Sequence, residues 1–244
     1  MNIFWLSYGK DSMSQLIVAK ELGIPIDKVI YTAVMYDDKI SAEHPKMVEF
    51  MDKADKILKE KFGIVVDKIS SISFKEQFYK VKQKGKHIGD NYGFPFIIGA
   101  WCNDRLKVGA MEKAKNKIKK FENVTEFVGI AFDEKLRYDV VCNKNKRSLL
   151  FEQKITEREA FEICKKHNLL SPIYDKSFRG GCWFCVKQCM ADLYDIWKNY
   201  PELWKELETL QKDSFNPFKP GQTIQQIAER FSNGYIPKRR KKGE

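Results

Sequence analysis

Residues Leu6 to Leu16 read LSYGKDSMSQL. They lie where an apolar run, NIFWLS from Asn2, stops and a helical pattern begins, with Met13, Leu16, Ile17, Ala19 and Leu22 spaced along one face up to Gly23. A loop of small, charged and hydroxyl residues at a strand-to-helix junction has two readings. In the first it holds an anion: unpaired backbone N–H groups and the positive end of the helix dipole face it, Gly9 lets the backbone approach closely, Ser7 and Ser12 offer hydroxyls, and Lys10 adds a point charge. In the second, Ser7 or Asp11 simply caps the helix. Asp11 repels a bare phosphate, and suits one whose charge is bridged by magnesium.

Working outward, KVIYTAVMY (Lys28 to Tyr36) is a second apolar strand, which completes a β-α-β unit. Met47, Phe50, Met51, Ala54, Ile57, Leu58 and Phe62 keep helical spacing, and GIVVDKI from Gly63 follows as a third strand. EFVGIAF (Glu126 to Phe132) reads as another strand, and TEREAFEIC opens a helix with a capping box from Thr156 to Glu159. The alternation predicts an α/β fold with a mostly parallel sheet flanked by helices. After Pro172 the pattern changes to a glycine-cysteine turn and aromatic-rich helices. The expected division is therefore an α/β nucleotide-binding domain over 1–172 and a small helical, cysteine-containing appendage over 173–244. Trp183, Tyr194, Trp197, Tyr200 and Trp204 have the spacing of a helical core, although aromatic rings also stack on bases.

The composition of the 244 residues, 43% hydrophobic and without a long Gly/Ser or Pro linker, excludes a disordered chain. No run of about eighteen apolar residues is present, and the first ten residues are not a basic leader with an apolar stretch, so no membrane span and a cytoplasmic location are expected. In a reducing compartment the six cysteines point to metal or redox chemistry rather than disulfides. The formal net charge of +11 suits an anionic partner, nucleotide or nucleic acid, and equally a solvated lysine-rich surface. Its densest runs are KVKQKGKH (Lys80 to His87), KAKNKIKK (Lys113 to Lys120) and KRRKK (Lys238 to Lys242).

Cys182, Cys185 and Cys189 have C-x-x-C-x-x-x-C spacing, just after Gly180 and Gly181. Thiolates grouped in this way suit iron-sulfur or zinc. A zinc ribbon would show a second C-x-x-C pair, and none of the three histidines, His44 included, has a ligand spacing. Cys164 shares a stripe with Ala160 and Ile163 and reads as core; Cys142 has no evident partner.

SYGKDS (Ser7 to Ser12) resembles the SGGKDS loop of the adenine nucleotide alpha-hydrolase (PP-loop ATP pyrophosphatase) superfamily, in the branch of the phosphoadenylyl-sulfate (PAPS) reductases and their sulfur-transfer relatives. WCNDRLK (Trp101 to Lys107), VGIAFDEKLR (Val128 to Arg137) and PIYDKSFRGGCWFC (Pro172 to Cys185) are similar to further elements of that branch and occur in the same order. The resemblance implies ATP bound with magnesium at Ser7, Tyr8, Gly9, Lys10, Asp11 and Ser12, with Arg137 on phosphate or sulfate and Lys10 and Asp11 in catalytic roles. It also implies Cys102 as fourth ligand beside Cys182, Cys185 and Cys189, around a [4Fe-4S] cluster or, alternatively, zinc. Two departures matter. Tyr8 replaces a glycine, and the chain ends in YIPKRRKKGE instead of the reductases' cysteine-bearing ECG tail. True PAPS reductases also tend to lack the Lys-Asp pair. The implied activity is thus adenylation of an acceptor for sulfur transfer, with tRNA or DNA as possible acceptor and a sulfur donor protein as possible partner. Sulfonucleotide reduction is the alternative within enzymes, and a nucleotide or nucleic-acid binding module with a structural cysteine site is the alternative outside them.

Overall fold

Five parallel strands form one open sheet in the computed structural model, which describes residues 1–85, 87–119, 123–175 and 180–238. β1 (Asn2–Leu6) is followed by α1 (Lys10–Glu21), β2 (Lys28–Ala33), α2 (Pro45–Phe62), β3 (Val66–Ser70), α3 (Phe74–Tyr79) and a π-helical segment (Asn103–Val108). Next come α4 (Gly109–Lys119), β4 (Thr125–Val128), α5 (Lys135–Val141), the short β5 (Lys146–Arg147), α6 (Leu149–Glu152), α7 (Glu157–Lys166) and a 3₁₀ turn (Pro172–Asp175). Three helices close the chain, α8 (Met190–Asn199), α9 (Pro201–Asp213) and α10 (Ile224–Ser232). This is the α/β class with a parallel sheet and C-terminal helices that the alternation of patterns predicts.

The strand order is β3-β2-β1-β4-β5, and Phe4 of β1 pairs with Val29 on one side and Phe127 on the other. The chain builds outward from β1 to β3, then returns to β4 and builds the other way. The reversal falls between β1 and β4, and in open α/β sheets the crevice beyond the carboxyl ends at such a point receives ligands. The loop after β1 is the one at Ser7 to Ser12.

Two compact units divide the chain. One comprises Met1–Ala33, Pro45–Ser70 and Val108–Asp175 and holds the whole sheet. β1 is apolar at successive positions because helices cover both faces: Phe4 and Leu6 pack with Met13, Leu16, Ile17, Phe50 and Leu150, while Ile3 and Trp5 pack with Ile30 and Val124. Trp5 Nε1 donates to Glu126 Oε2 at 2.9 Å, and Lys115 lies 3.3 Å from the same carboxylate. Lys115 is therefore buried and paired, and the run from Lys113 is not a uniformly solvated basic face; its Lys120 lies outside the described residues.

The other unit gathers Val34–His44, Ser71–Lys107 and the C-terminal segment. Residues 34–44 and 71–107 precede 172 in the chain yet belong with the C-terminal helices, so the compact units interleave where the expected division followed chain order. Trp183 is fully buried against Tyr36 and Phe184, and Trp204 is buried in the same cluster, with Tyr194, Trp197 and Tyr200 packed on it. The C-terminal aromatics are a core. His44 Nε2 lies 3.2 Å from Asp195 Oδ2, with its ring against Tyr200. Among the described residues no helix is long and apolar enough to cross a membrane.

α7 starts where its sequence requires. The Glu159 N–H donates to Thr156 Oγ1 at 3.3 Å, and the Thr156 N–H donates to Glu159 Oε2 at 2.8 Å, the reciprocal pair of a capping box. Replacing Thr156 by Ala should cost about 1 kcal/mol. The expected result is a lower urea midpoint with an unchanged slope.

Candidate functional site

The loop after β1 is built by backbone geometry. Tyr8 has φ 53°, a region that glycine enters freely and that costs another residue about 1–2 kcal/mol. Its ring is wholly buried, edge-on to Tyr31 at 4.9 Å, and its hydroxyl donates to Asp55 Oδ1 at 2.5 Å. Burying such a ring contributes about 2–3 kcal/mol, which offsets the strain. Burial first, and Asp55 next, hold the Tyr8 phenol far above its usual pKa, so it stays a donor. The glycine-like turn survives the change to tyrosine because the side chain is anchored beneath the loop.

Gly9 follows as N-cap of α1. A β-carbon there would meet Ser7 Oγ and Tyr174 Oη at 3.3 Å each. Ser7 and Ser12 tie the loop across its mouth: the Ser7 N–H donates to Ser12 Oγ at 3.1 Å, their hydroxyls lie 3.0 Å apart, and Ser12 Oγ donates to the Gly9 carbonyl at 3.0 Å. The Lys10 N–H donates to Tyr174 Oη at 3.0 Å. Just beyond the neighbouring strand β4, Gly129 approaches so closely that a β-carbon on it would meet Ser12 N at 2.5 Å. The loops after β1 and β4 thus share one crevice, at the reversal point of the sheet.

Charge in the crevice is unbalanced. Lys10 Nζ donates to Asp11 Oδ1 at 2.7 Å and to Glu157 Oε1 at 3.0 Å. Burial alone would lower the Lys10 pKa, but these two carboxylates outweigh it and hold it above the ordinary lysine value. Burial raises the Asp11 carboxyl; Lys10 opposes this, and the charges of Glu134 and Glu157 add to it. Two carboxylates therefore hold the Lys10 ammonium, while Glu134 adds its charge to Asp11. Arg137 is 55% exposed and engaged with both oxygens of Glu134, at 2.8 and 3.2 Å. Asp133 Oδ1 accepts the Glu157 N–H at 3.0 Å, so the acidic pair of the DEKLR element supports the crevice.

Glu157, Tyr174 and Gly129 escape the sequence reading as site residues. Glu157 is 147 positions from Lys10 and carries no local signal beyond following a helix cap. Tyr174 and Gly129 lie inside the quoted PIYDK and VGIAF stretches, where a small residue and a phenol next to the family elements were the available hint. Cys164 is core, as its stripe predicts, and its Sγ donates to the Lys10 carbonyl at 3.1 Å.

The cysteine-rich stretch belongs to the second unit. Two consecutive turns carry it: the Cys185 N–H donates to the Cys182 carbonyl and the Gln188 N–H to the Cys185 carbonyl, each at 3.0 Å, and Cys189 is the N-cap of α8. Cys102 immediately precedes the π-helical segment. Burial pushes up the thiols of Cys102 and Cys182; the charge of Cys185 adds to both, and Cys182 also feels Glu43. Lys219 is driven into the same stretch, with Nζ donating to the carbonyls of Val186 (2.6 Å) and Gln188. Burial lowers its pKa, against the charges of Cys185 and Cys189. Cys102, Cys182 and Cys185 thus feel one another's charge, Cys189 follows them on the same turns, and all four are free thiols. Among the described residues no group of three His, Cys, Asp or Glu side chains is arranged to hold a metal ion.

The architecture and the crevice define a parallel-sheet α/β protein compatible with nucleotide binding. No family model matches the chain, and no solved structure matches it. An uncharacterized protein of Methanocaldococcus jannaschii is 25% identical to it over 219 residues, covering 85% of this chain and 40% of that protein. The chain thus spans well under half the length of that relative.

Cys164 makes the site testable by pH. Burial, with the Asp11 charge adding to it, pushes its thiol up to about 12. In the unfolded chain a thiol ionises near pH 8.5. A raised folded pKa means the stabilisation is complete below about pH 8.5 and is lost as pH rises through about 12. Stability of the wild type should fall over that window, and Cys164→Ala should fall less steeply, when urea midpoints are compared at rising pH. Equal slopes would show that the thiol is not held neutral.

Proposed function

We propose that this chain is a PP-loop ATP pyrophosphatase of the PAPS reductase-like type, which adenylates an acceptor for sulfur transfer. The observation that carries the reading is the Lys10–Asp11 pair, placed on the loop after β1 at the reversal point of a parallel sheet. Such a loop, at a helix N-terminus, is suited to the phosphates of a nucleotide. Ser7, Gly9 and Ser12 would line them.

The excess of carboxylates over cations in the crevice fits a divalent cation. Asp11 would hold magnesium, which supplies charge neutralisation to bound phosphates. An acceptor oxygen attacks the α-phosphorus, the bond to the β-phosphate oxygen breaks, and pyrophosphate leaves. Lys10, freed from Glu157, would meet the charge growing on pyrophosphate. A sulfur nucleophile from a donor then displaces AMP from the adenylated acceptor.

For the cysteines, the donor set is soft, Cys102, Cys182 and Cys185 feel one another's charge, and among the described residues the indole N–H of Trp101, next to Cys102, is buried without a hydrogen-bond partner. A donor in that position suits anionic sulfur. Cys102, Cys182, Cys185 and Cys189 would hold a [4Fe-4S] cluster, with zinc as the alternative; a cluster supplies an iron able to bind sulfide.

Nucleotide affinity and AMP formation, measured side by side with candidate acceptors and a sulfur source, test the ATP reading. Lys10→Ala should lower turnover by about two to three orders of magnitude with a smaller loss of affinity. Asp11→Asn should also lower turnover; tighter ATP binding with wild-type turnover would defeat the assigned role. A wild type that binds nucleotide and forms no AMP would shift the reading to a binding module.

Anaerobic purification tests the cysteine site. Iron and sulfide with a broad brown absorption are expected, and each single Cys→Ala change in the quartet should diminish them. Stoichiometric zinc would keep the ligand set and remove the cluster.

A further inference from the structure

We propose that the surface around Phe215, in the second unit, is a binding track for single-stranded nucleic acid. Val81 and Asn91 bridge, and the Lys82 N–H donates to the Asp90 carbonyl at 2.9 Å. This brings Lys82 and His87 onto Phe215. The His87 ring stacks on the phenyl ring with centroids 4.7 Å apart, and Lys82 Nζ sits 4.1 Å from the same centroid. Lys82 also lies 5.8 Å from the Tyr92 ring, which carries the Arg105 guanidinium at 4.6 Å. Rings and cations alternate from Phe215 through Tyr92 to Trp101, the neighbour of Cys102.

Trp101 packs against the buried aromatic cluster, whereas Phe215, Phe96 and the cations beside them lie at the surface. Phe96, edge-on to Phe215, is 58% exposed, Phe215 is 40% exposed, and Ile98 is 91% exposed. Lys80, Lys84 and Arg105 are exposed around them. Two nearby carboxylates are engaged: Asp90 lies 3.4 Å from His87 Nδ1, and Asp213 accepts from the Tyr79 hydroxyl at 2.6 Å. Water-exposed rings with cations on them offer stacking faces to bases and charge to phosphates. A protein-docking face would instead be depleted of lysine at its centre. The sequence also makes the whole chain strongly basic, which favours a polyanion. Binding at this surface is independent of the function proposed above; under that function, the bound strand is the acceptor, since the ladder ends beside Cys102.

Fluorescence anisotropy with labelled oligothymidylate and oligouridylate of about twenty nucleotides, longer than one site, tests the inference. An abasic strand of equal charge, a duplex, and protein lacking residues 239–244, which lie outside the described residues, complete the set. The full chain should bind single strands in preference to the duplex and the abasic strand, with or without the basic tail. Phe215→Ala should weaken binding about tenfold or more with little change in salt dependence. Lys82→Ala should reduce the salt slope by about one. Phe96→Ala, at a site too exposed to threaten folding, should also weaken binding. No binding at low salt, equal binding of the abasic strand, or wild-type affinity in folded Phe215→Ala and Phe96→Ala would overturn the proposal. Full AMP-forming activity without strand binding would overturn it while leaving the ATP reading intact.

Discussion

Gly129 and the first turn of α1 are in backbone contact, and any side chain on Gly129 would enter the space of Ser12 N. This contact requires β4 to pair beside β1, the loop beyond β4 to cross the start of α1, and the two loops to open into one crevice. Everything else at the site hangs on it. Glu134 is carried there by the loop after β4, and Asp133 of the same loop accepts the first N–H of α7. That places Glu157 on Lys10.

The loop accommodates two costs. The left-handed backbone at Tyr8 is offset by burial of its ring and by the bond to Asp55, which α2 presents. Asp55 is held in turn by Lys68 of β3 at 2.8 Å. The second cost is the burial of Asp11, which raises its carboxyl, with the charges of Glu134 and Glu157 adding to it. A folded protein retains such an imbalance where it has a use, and a cation bound with phosphates would relieve it. Lys10 is poised rather than locked. It is held by two carboxylates on different elements, and under the proposed function a phosphate would compete with both of them.

In the second unit the same economy of placement joins distant stretches. Cys102 comes from the segment before α4, and the other three cysteines come from the turns ahead of α8. Lys219 closes the stretch from the far side, with its ammonium on two carbonyls. The buried aromatics, Trp183 above all, form the core of this unit. Of the exposed ones, Phe215 carries a cation and Phe96 lies edge-on to it.

What local pattern governs was readable in the chain. The strands from Asn2, Lys28 and Val66, the helix from Lys10, and the box at Thr156 and Glu159 depend on the spacing of neighbours, which a sequence displays directly. So does the loop at Ser7 to Ser12, because a strand-to-helix turn is itself local. What required the tertiary structure is whatever is built from distant positions. Glu157 and Tyr174 reach Lys10 only after the sheet has reversed direction. Tyr8 looked like a broken motif until its buried ring had a hydroxyl partner in Asp55, and residues 71–107 joined the C-terminal helices against chain order. Spacing reports which face a residue shares with its neighbours along the chain; the partner across the crevice is chosen by packing, and packing is a property of the whole fold.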